Sequence, residues 1–152
     1  MAIKVTTYVH ATCIALQGPG KVWRGVLLRG PSGAGKSDLA LRLVEAGARL
    51  VADDQTALIQ HGKGLVGTPP GTIAGLLEVR GVGIVKLGRT RLLARATIAL
   101  LVDLVPPDRI ERLPDPAHEN LLGIDLPVVA LAPFEASAPA KLRLALAQIA
   151  AA

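Results

Sequence analysis

No other segment limits the possible fold of this chain as much as one eight-residue loop, Gly30-Pro31-Ser32-Gly33-Ala34-Gly35-Lys36-Ser37. It matches the phosphate-loop (P-loop) pattern G-x-x-x-x-G-K-[ST] in full, and this pattern carries meaning when it joins a strand to a helix. The preceding run Trp23–Arg29 is rich in Val and Leu, which predicts a strand. Apolar residues at helical spacing predict a helix over residues 36–46. We therefore predict an α/β domain built around a P-loop.

The residue types of this loop suit the binding of a nucleotide triphosphate with Mg²⁺. Glycines allow backbone N–H groups to turn towards phosphate oxygens without a clash of Cβ atoms. The start of the helix adds partial positive charge. Lys36 supplies an ammonium group for the β- and γ-phosphates, and the Ser37 hydroxyl is a ligand for Mg²⁺. The alternative is a glycine-rich turn that happens to precede a helix.

The remaining patterns complete a single mixed α/β domain spanning residues 1–152, because no repeat or long linker divides the chain. A helical turn is predicted at 72–77, extended backbone at 78–87, and a polar stretch that contains proline from the end of Pro106-Pro107 to residue 120. Ser137 is the predicted cap of a last helix that ends at residue 149. Further strands are predicted at 49–52, 56–59, 65–66, 97–105 and 128–131.

Asp53 and Asp54 follow the second predicted strand. The carboxyl ends of strands form the ligand-binding edge of open α/β sheets. One acid there can hold Mg²⁺ through water while its neighbour accepts the proton of a hydroxyl group. Adjacent side chains diverge in extended backbone, so we expect different roles for the two acids. An ordinary acidic turn is the alternative.

Three other side chains have less specific surroundings. Glu78 follows apolar residues, and could be either a functional acid or a surface group paired with Arg80. A lone histidine beside apolar residues, such as His10, is more often structural than functional. Cys13 is the single cysteine, which we interpret as a small buried apolar residue.

Composition narrows the classes of partner. The formal net charge of +5 favours an anionic partner, although the scattered arginines are also typical of a solvated face. With only three aromatic residues, we expect no binding to nucleic acid by base stacking. The most apolar segment, 96–102, is too short to span a membrane. One cysteine and no secretory signal predict a cytoplasmic protein.

Three segments occur in one order: the P-loop, Leu50-Val51-Ala52-Asp53-Asp54, and Leu77-Glu78-Val79-Arg80-Gly81-Val82-Gly83-Ile84. Together they resemble the catalytic domain of HPr kinase/phosphorylase. The third segment is far more specific than the P-loop. The resemblance extends from about residue 10 to residue 109, and it implies a P-loop domain related to phosphoenolpyruvate carboxykinase.

The resemblance implies a role for each matching residue. Residues 30–37 would bind ATP, Lys36 would be catalytic, and Ser37 would hold Mg²⁺. Asp54 would accept the proton of the attacking hydroxyl group. Catalytic roles are likewise implied for His10 and Arg109, and metal-binding roles for Asp53 and Glu78.

The same resemblance implies a serine kinase acting on an HPr-type phosphocarrier protein, and a homo-oligomer, often a hexamer. The family's usual N-terminal domain has no counterpart in this sequence, so we expect a truncated form. Residues 132–141 lack the arginine-containing stretch that is associated with dephosphorylation, so phosphorylase activity is not expected to be prominent.

Two other functions are compatible with the residues. A small-molecule P-loop kinase usually has a lid and a separate acceptor domain, for which few residues remain here. An ATP-sensing module without catalysis would use phosphate binding to switch a partner surface. The intact Lys36, Ser37, Asp54 and Glu78 favour an enzyme.

Overall fold

The computed structural model describes residues 5–71 and 74–151. Within these residues two helices are present, α1 (Lys36–Glu45) and α2 (Ala138–Ala151). The strands are β1 (Thr6–Val9), β2 (Ala11–Gln17), β3 (Trp23–Arg29), β4 (Arg49–Ala52), β5 (Thr56–His61), β6 (Gly64–Thr68), β7 (Leu76–Val79), β8 (Gly83–Lys86), β9 (Ala96–Leu104), β10 (Ala117–Leu121) and β11 (Ile124–Leu131).

Nine strands form one mixed sheet with the order β1-β5-β6-β9-β3-β2-β4, and β11 with its partner β10 joins at β9. Strands β11, β9 and β3 are parallel neighbours, so their carboxyl ends meet at one edge. Strand β2 is antiparallel to both β3 and β4. The start of β2 and the end of β4 therefore lie at that same edge. Strands β7 and β8 form a separate hairpin.

The central strands are buried on both faces, and their side chains alternate between two cores. Val26 and Leu28 of β3 pack with the apolar faces of α1 and α2. Leu27, between them, packs on the opposite face with residues of β5, β6 and β11. Full burial of one leucine side chain stabilises the fold by about 1.5–3 kcal/mol. The loops that follow β3, β4, β9 and β11 thus extend from one well-packed sheet.

Most predicted elements are confirmed. Strands β3 and β4 have the predicted bounds, α1 ends one residue early, and the hairpin of β5 and β6 forms around the predicted turn. Strands β9 and β11 and the last helix are also present near their predicted positions. Cys13 is fully buried, which raises the pKa of its thiol to about 12, and this agrees with its interpretation as a core residue.

Several elements differ from prediction. The helical turn predicted at 72–77 is wrong at Leu76 and Leu77, which begin β7, while Thr72 and Ile73 lie outside the described residues. Pairing with β8 gives residues 76–79 a strand conformation, and the local pattern of residue types does not show this pairing. The polar stretch before residue 120, for which no strand was predicted, contains the start of β10, which pairs with β11 across a tight turn. No strand was predicted for β1 or β2, whose places depend on distant partners.

Candidate active site

The P-loop turns sharply between β3 and α1. Gly33 and Gly35 have φ values of 84° and 107°, in the left-handed region that side chains disfavour. A Cβ atom at Gly35 would also lie 3.0 Å from side-chain atoms of Pro133 and Phe134. Glycine at position 35 thus satisfies both the backbone and the close approach of the loop that follows β11. The resulting cradle opens at the N-terminus of α1.

Lys36 is held against the loop itself. Its side chain is only 5% exposed, and its Nζ donates hydrogen bonds to the carbonyl oxygens of Gly30 (2.7 Å) and Pro31 (3.1 Å). The same Nζ lies 4.0 Å from Oδ1 of Asp54. These contacts compensate the burial of the ammonium group. They place a fixed positive charge between the cradle and Asp54.

Asp53 lies at the centre of a hydrogen-bond network that joins three elements. The hydroxyl groups of Ser37 (2.7 Å) and Thr12 (3.0 Å) donate to its Oδ1, and the backbone N–H of Glu78 (3.0 Å) donates to its Oδ2. Because the Ser37 proton points to Asp53, lone pairs of Ser37 Oγ are free for a cation. The structure therefore brings together the predicted metal-binding residues Ser37 and Asp53.

Asp54 has a different environment from Asp53, as expected. Its backbone is in the left-handed region (φ 64°), and its carboxylate lies near His10 and Lys36, which make no hydrogen bond to Asp53 in the described chain. His10 Nε2 lies 2.7 Å from Asp54 Oδ1, and the carboxylate is 63% exposed. No hydrogen bond within residues 5–71 and 74–151 reaches the other oxygen, Oδ2. Asp54 can therefore accept a proton from a group that enters the cleft.

Thr12 is a fully buried residue of this site that the sequence did not reveal. Its hydroxyl donates to Asp53 and accepts a hydrogen bond from the backbone N–H of Asp54 at 3.0 Å. It thereby fixes the orientation of both acids relative to β2. A threonine in an apolar run carries no local signal of such a role, because the antiparallel pairing of β2 with β4 creates it.

Glu78 lies on β7, on the other wall of a cleft of about 430 Å³. Ser37, Asp54 and Lys36 line the same cleft, together with Arg80 and Phe134. In the described part of the chain, no ion pair joins Glu78 to Arg80, so the alternative of a surface pair is not formed. Glu78 thus presents its carboxylate at the cleft.

Arg109 is separate from this group. It ends a short 3₁₀ turn that follows β9, and its side chain is exposed. It lies beyond the same edge of the sheet, but it is not among the residues that line the cleft. Its catalytic role remains a prediction that rests on the resemblance.

A partly buried ion cluster at the end of β3, next to the P-loop, was also not predicted. Arg29, the last residue of β3, makes paired hydrogen bonds to Asp103 (2.8 and 3.1 Å) and Glu119 (2.7 and 2.9 Å). The hydrogen bonds that Arg29 donates hold the pKa of Glu119 below its ordinary value, and the acceptance of these hydrogen bonds by Glu119 and Asp103 raises the pKa of Arg29. This cluster ties β3, β9 and β10 together immediately before Gly30.

The residues of the cleft fit a polyphosphate chain with a hard cation. The glycine cradle faces the N-terminus of α1, where anions are favoured. Ser37, Asp53 and Glu78 supply the oxygen atoms that Mg²⁺ prefers. In the described residues, no group of three or more His, Cys, Asp or Glu is placed to hold a metal ion alone. Mg²⁺ in nucleotide sites normally completes its coordination shell with phosphate oxygens and water.

Comparison with known proteins assigns the fold and the family together. The family model described as HPr Serine kinase C-terminal domain matches residues 2–142. The chain belongs to this family. A solved structure of the Hpr(Ser) kinase/phosphatase from Coxiella burnetii has a similar fold, with a TM-score of 0.80 and 26% sequence identity, covering 95% of this chain and 93% of that one. The predicted mixed α/β fold of an HPr kinase catalytic domain is thereby confirmed.

Curated relatives in this family carry the name HPr kinase/phosphorylase. The protein of Geobacillus thermodenitrificans is 38% identical over 131 residues, and that of Bordetella pertussis is 37% identical over 135 residues. These alignments cover 80% and 83% of this chain, but 41% and 42% of the relatives. The chain thus spans about two fifths of their length. Among the described residues, no helix is long and apolar enough to cross a membrane.

Proposed function

We propose that this chain is an ATP- and Mg²⁺-dependent kinase that phosphorylates a serine of an HPr-type phosphocarrier protein. One observation carries the proposal. In a domain of the HPr serine kinase family, His10 orients Asp54 beside the P-loop, with one carboxylate oxygen directed to no other group of the described chain. The names of the relatives support the kinase activity and HPr as the substrate.

The phosphate end of ATP would bind in the P-loop cradle. Lys36 is held between the loop and Asp54, so its ammonium group lies beside the cradle in which it would contact the β- and γ-phosphates. Backbone N–H groups of residues 30–37 and the N-terminus of α1 would neutralise further negative charge. These contacts favour transfer because they stabilise charge at the phosphates without a large reorganisation.

Mg²⁺, when bound, would neutralise the phosphates and align them for attack. The residues that would hold it are Ser37 through its hydroxyl oxygen, Asp53 through water, and Glu78 from the opposite wall. Asp53 keeps the Ser37 oxygen turned outward, and Thr12 and the Glu78 N–H keep Asp53 in place.

Asp54 would act as the proton acceptor. As the substrate serine Oγ forms its bond to the γ-phosphorus, its proton would pass to Oδ2 of Asp54, and the bond from the γ-phosphorus to the β-bridging oxygen would break to release ADP. His10 bonds to Oδ1, so it would orient the carboxylate rather than compete for the serine. A role for Arg109 in this reaction is part of the proposal and rests on the resemblance alone.

The proposal includes a homo-oligomer, a cytoplasmic location and one catalytic domain over residues 1–152. The protein substrate is the part of the proposal that most clearly separates it from the alternatives. A small-molecule kinase or an ATP-sensing module would share the phosphate site but would not label a protein serine.

The test is incubation of the protein with γ-labelled ATP, Mg²⁺ and HPr-type carriers from its own organism, followed by mapping of the labelled residue. We expect label on one serine of a carrier. A variant with the exposed Leu113 replaced by alanine should label at the wild-type rate, whereas Asp54→Asn should label far more slowly. Label on a small molecule, or ATP binding without transfer to any carrier, would support one of the two alternatives instead.

A further inference from the structure

The cleft continues past the phosphate cradle into an apolar end that phosphate binding does not explain. Leu41 of α1, Val79 of β7 and Phe134, which follows β11, line this end. Leu41 lies one helical turn beyond Ser37, which corresponds to about 6 Å along the axis of α1. An apolar wall at this distance from the Ser37 hydroxyl suits the nucleoside part of a nucleotide whose phosphates lie in the cradle.

Phe134 is the most unusual residue of this wall. The residue is 68% exposed although it lines a cleft, and of the three aromatic residues of the chain it alone lines that cleft. Tyr8 lies on the edge strand β1, and Trp23 at the start of β3 stacks against Arg49. An exposed aromatic ring beside convergent polar groups is typical of a ligand contact.

The backbone that carries Phe134 is fixed, so the ring has a defined position relative to the cradle. Arg42 of α1 donates hydrogen bonds to the carbonyl oxygens of Pro133 and Glu135, the residues on either side. The ring tip also approaches Gly35 so closely that a Cβ atom there would lie 3.0 Å from it. The guanidinium group of Arg42 therefore links the segment 133–135 to α1, the helix that follows the P-loop.

We propose that Phe134 is the platform on which the base of the bound nucleotide lies, with Leu41 and Val79 completing an apolar base-binding subsite. The proposal rests on nucleotide binding by the P-loop, as given under the proposed function. Every base offers an aromatic face, so the subsite distinguishes a nucleoside triphosphate from inorganic polyphosphate more than it distinguishes one base from another.

The first experiment compares the affinities of Mg²⁺–ATP and Mg²⁺–tripolyphosphate by calorimetry. We expect Phe134→Ala to weaken ATP binding at least about fivefold, the lower end of base–aromatic stacking, while tripolyphosphate affinity stays the same. Phe134→Leu should bind ATP with intermediate affinity, because it keeps apolar area but not the aromatic face. Leu113→Ala removes an exposed apolar side chain that does not line the cleft, and should change neither affinity.

A second readout places a fluorophore at the platform. In Phe134→Trp, ATP should change the fluorescence of the new indole and tripolyphosphate should not. Trp23 serves as a constant background, since it lies at the end of β3 remote from the P-loop. The wild-type chain, which contains Trp23 but not the new indole, is the matched control.

The two proposals fail in different ways. If wild type binds both ligands and Phe134→Ala binds ATP as tightly as wild type, the base subsite is wrong and the phosphate site stands. If Phe134→Ala loses affinity for tripolyphosphate as well, Phe134 shapes the cradle and the subsite is also wrong. If wild type binds neither ligand, the proposed function fails and the subsite fails with it.

Discussion

His10 Nε2 lies 2.7 Å from Asp54 Oδ1, although 44 positions separate the two residues in the chain. The contact exists because β2 runs antiparallel to the neighbouring β4, which brings the start of one strand to the end of the other. Thr12, two residues after His10, reinforces it by accepting a hydrogen bond from the Asp54 backbone. The local sequence of His10 favoured a structural role, but the fold places this histidine beside the proposed proton acceptor.

Replacement of Asp54 by asparagine separates chemistry from binding. Asparagine tolerates the left-handed backbone at this position, so the fold of the loop should be kept while the proton acceptor is lost. We expect phosphoryl transfer to fall roughly 10²–10⁴-fold with nucleotide affinity little changed. Single-turnover transfer and calorimetry measure the two quantities. The exposed Asp115→Asn is the control, and near-normal transfer by Asp54→Asn would move the role of base to Asp53.

Replacement of Lys36 by alanine tests the phosphate site. The change removes the ammonium group beside the cradle and its hydrogen bonds to Gly30 and Pro31. We expect transfer to fall by about 10²-fold or more, with weaker or misaligned ATP binding. Lys63→Ala, in the exposed turn between β5 and β6, should behave as wild type. Equal binding and turnover of wild type and Lys36→Ala would show that this loop is not the nucleotide site.

Replacement of Glu78 by glutamine tests the metal site. The backbone N–H that supports Asp53 remains, so only the carboxylate at the cleft is altered. We expect the Mg²⁺ concentration for half-maximal activity to rise about tenfold, since Mg²⁺ loses a charged oxygen ligand. A Mg²⁺ titration of activity measures this, with the exposed Glu111→Gln as control. An unchanged titration would make Glu78 an ordinary exposed acid.

The reverse reaction should be weak. Attack of inorganic phosphate on phosphoserine brings two anions together, so it needs cationic groups beyond Lys36 and Mg²⁺. Of the described residues that line the cleft, only Lys36 and Arg80 are basic, and the acid of segment 133–135, Glu135, pairs with Lys141. We expect pyrophosphate release from phosphorylated carrier to be about 10²-fold slower than forward transfer.

The assay of this reaction uses seryl-phosphorylated carrier, excess inorganic phosphate and no ATP. Arg80→Ala should reduce any residual rate further, because Arg80 is the remaining base of the cleft. Rates that match the forward reaction would contradict the prediction and would show that an arginine-rich stretch is not required. Arg109→Ala then tests whether that residue supplies the missing charge.

The ion cluster of Arg29, Asp103 and Glu119 predicts how the stability of the fold depends on pH. Hydrogen bonds from Arg29 hold the pKa of Glu119 below its ordinary value of 4.5, so ionised Glu119 stabilises the folded state. This stabilisation is fully present above pH 4.5 and is lost as the pH falls through the lower pKa of the folded state. We expect Glu119→Gln to lower the Tm at pH 7 by about 1–4 °C, a size that allows for the exposure of the pair.

Melting curves from pH 7 to pH 3 check this expectation. The difference in Tm between wild type and Glu119→Gln should shrink as the pH falls below 4.5. Glu111→Gln, an exposed acid outside the cluster, should follow the wild-type curve over the whole range. A difference for Glu119→Gln that stays constant with pH would exclude ionisation of Glu119 as its cause.

Local patterns in the sequence were sufficient for the P-loop, its flanking strand and helix, and the acids that follow β4. Gly33, Gly35, Lys36 and Ser37 act within a few residues of one another, so their spacing along the chain already sets their geometry. The same holds for β9, a run of nine residues with enough apolar side chains to be buried in the middle of any sheet.

Tertiary structure alone decided how the remaining groups meet. The strands that carry His10 and Thr12, and the pair β7–β8 that carries Glu78, take their places from pairing with distant partners, which no local pattern encodes. The ion cluster of Arg29 and the approach of Phe134 to Gly35 likewise join segments about 74 to 100 residues apart. The sequence therefore determined the glycine-rich loop between β3 and α1, whereas sheet topology decided which acid meets His10 and which ring lines the cleft.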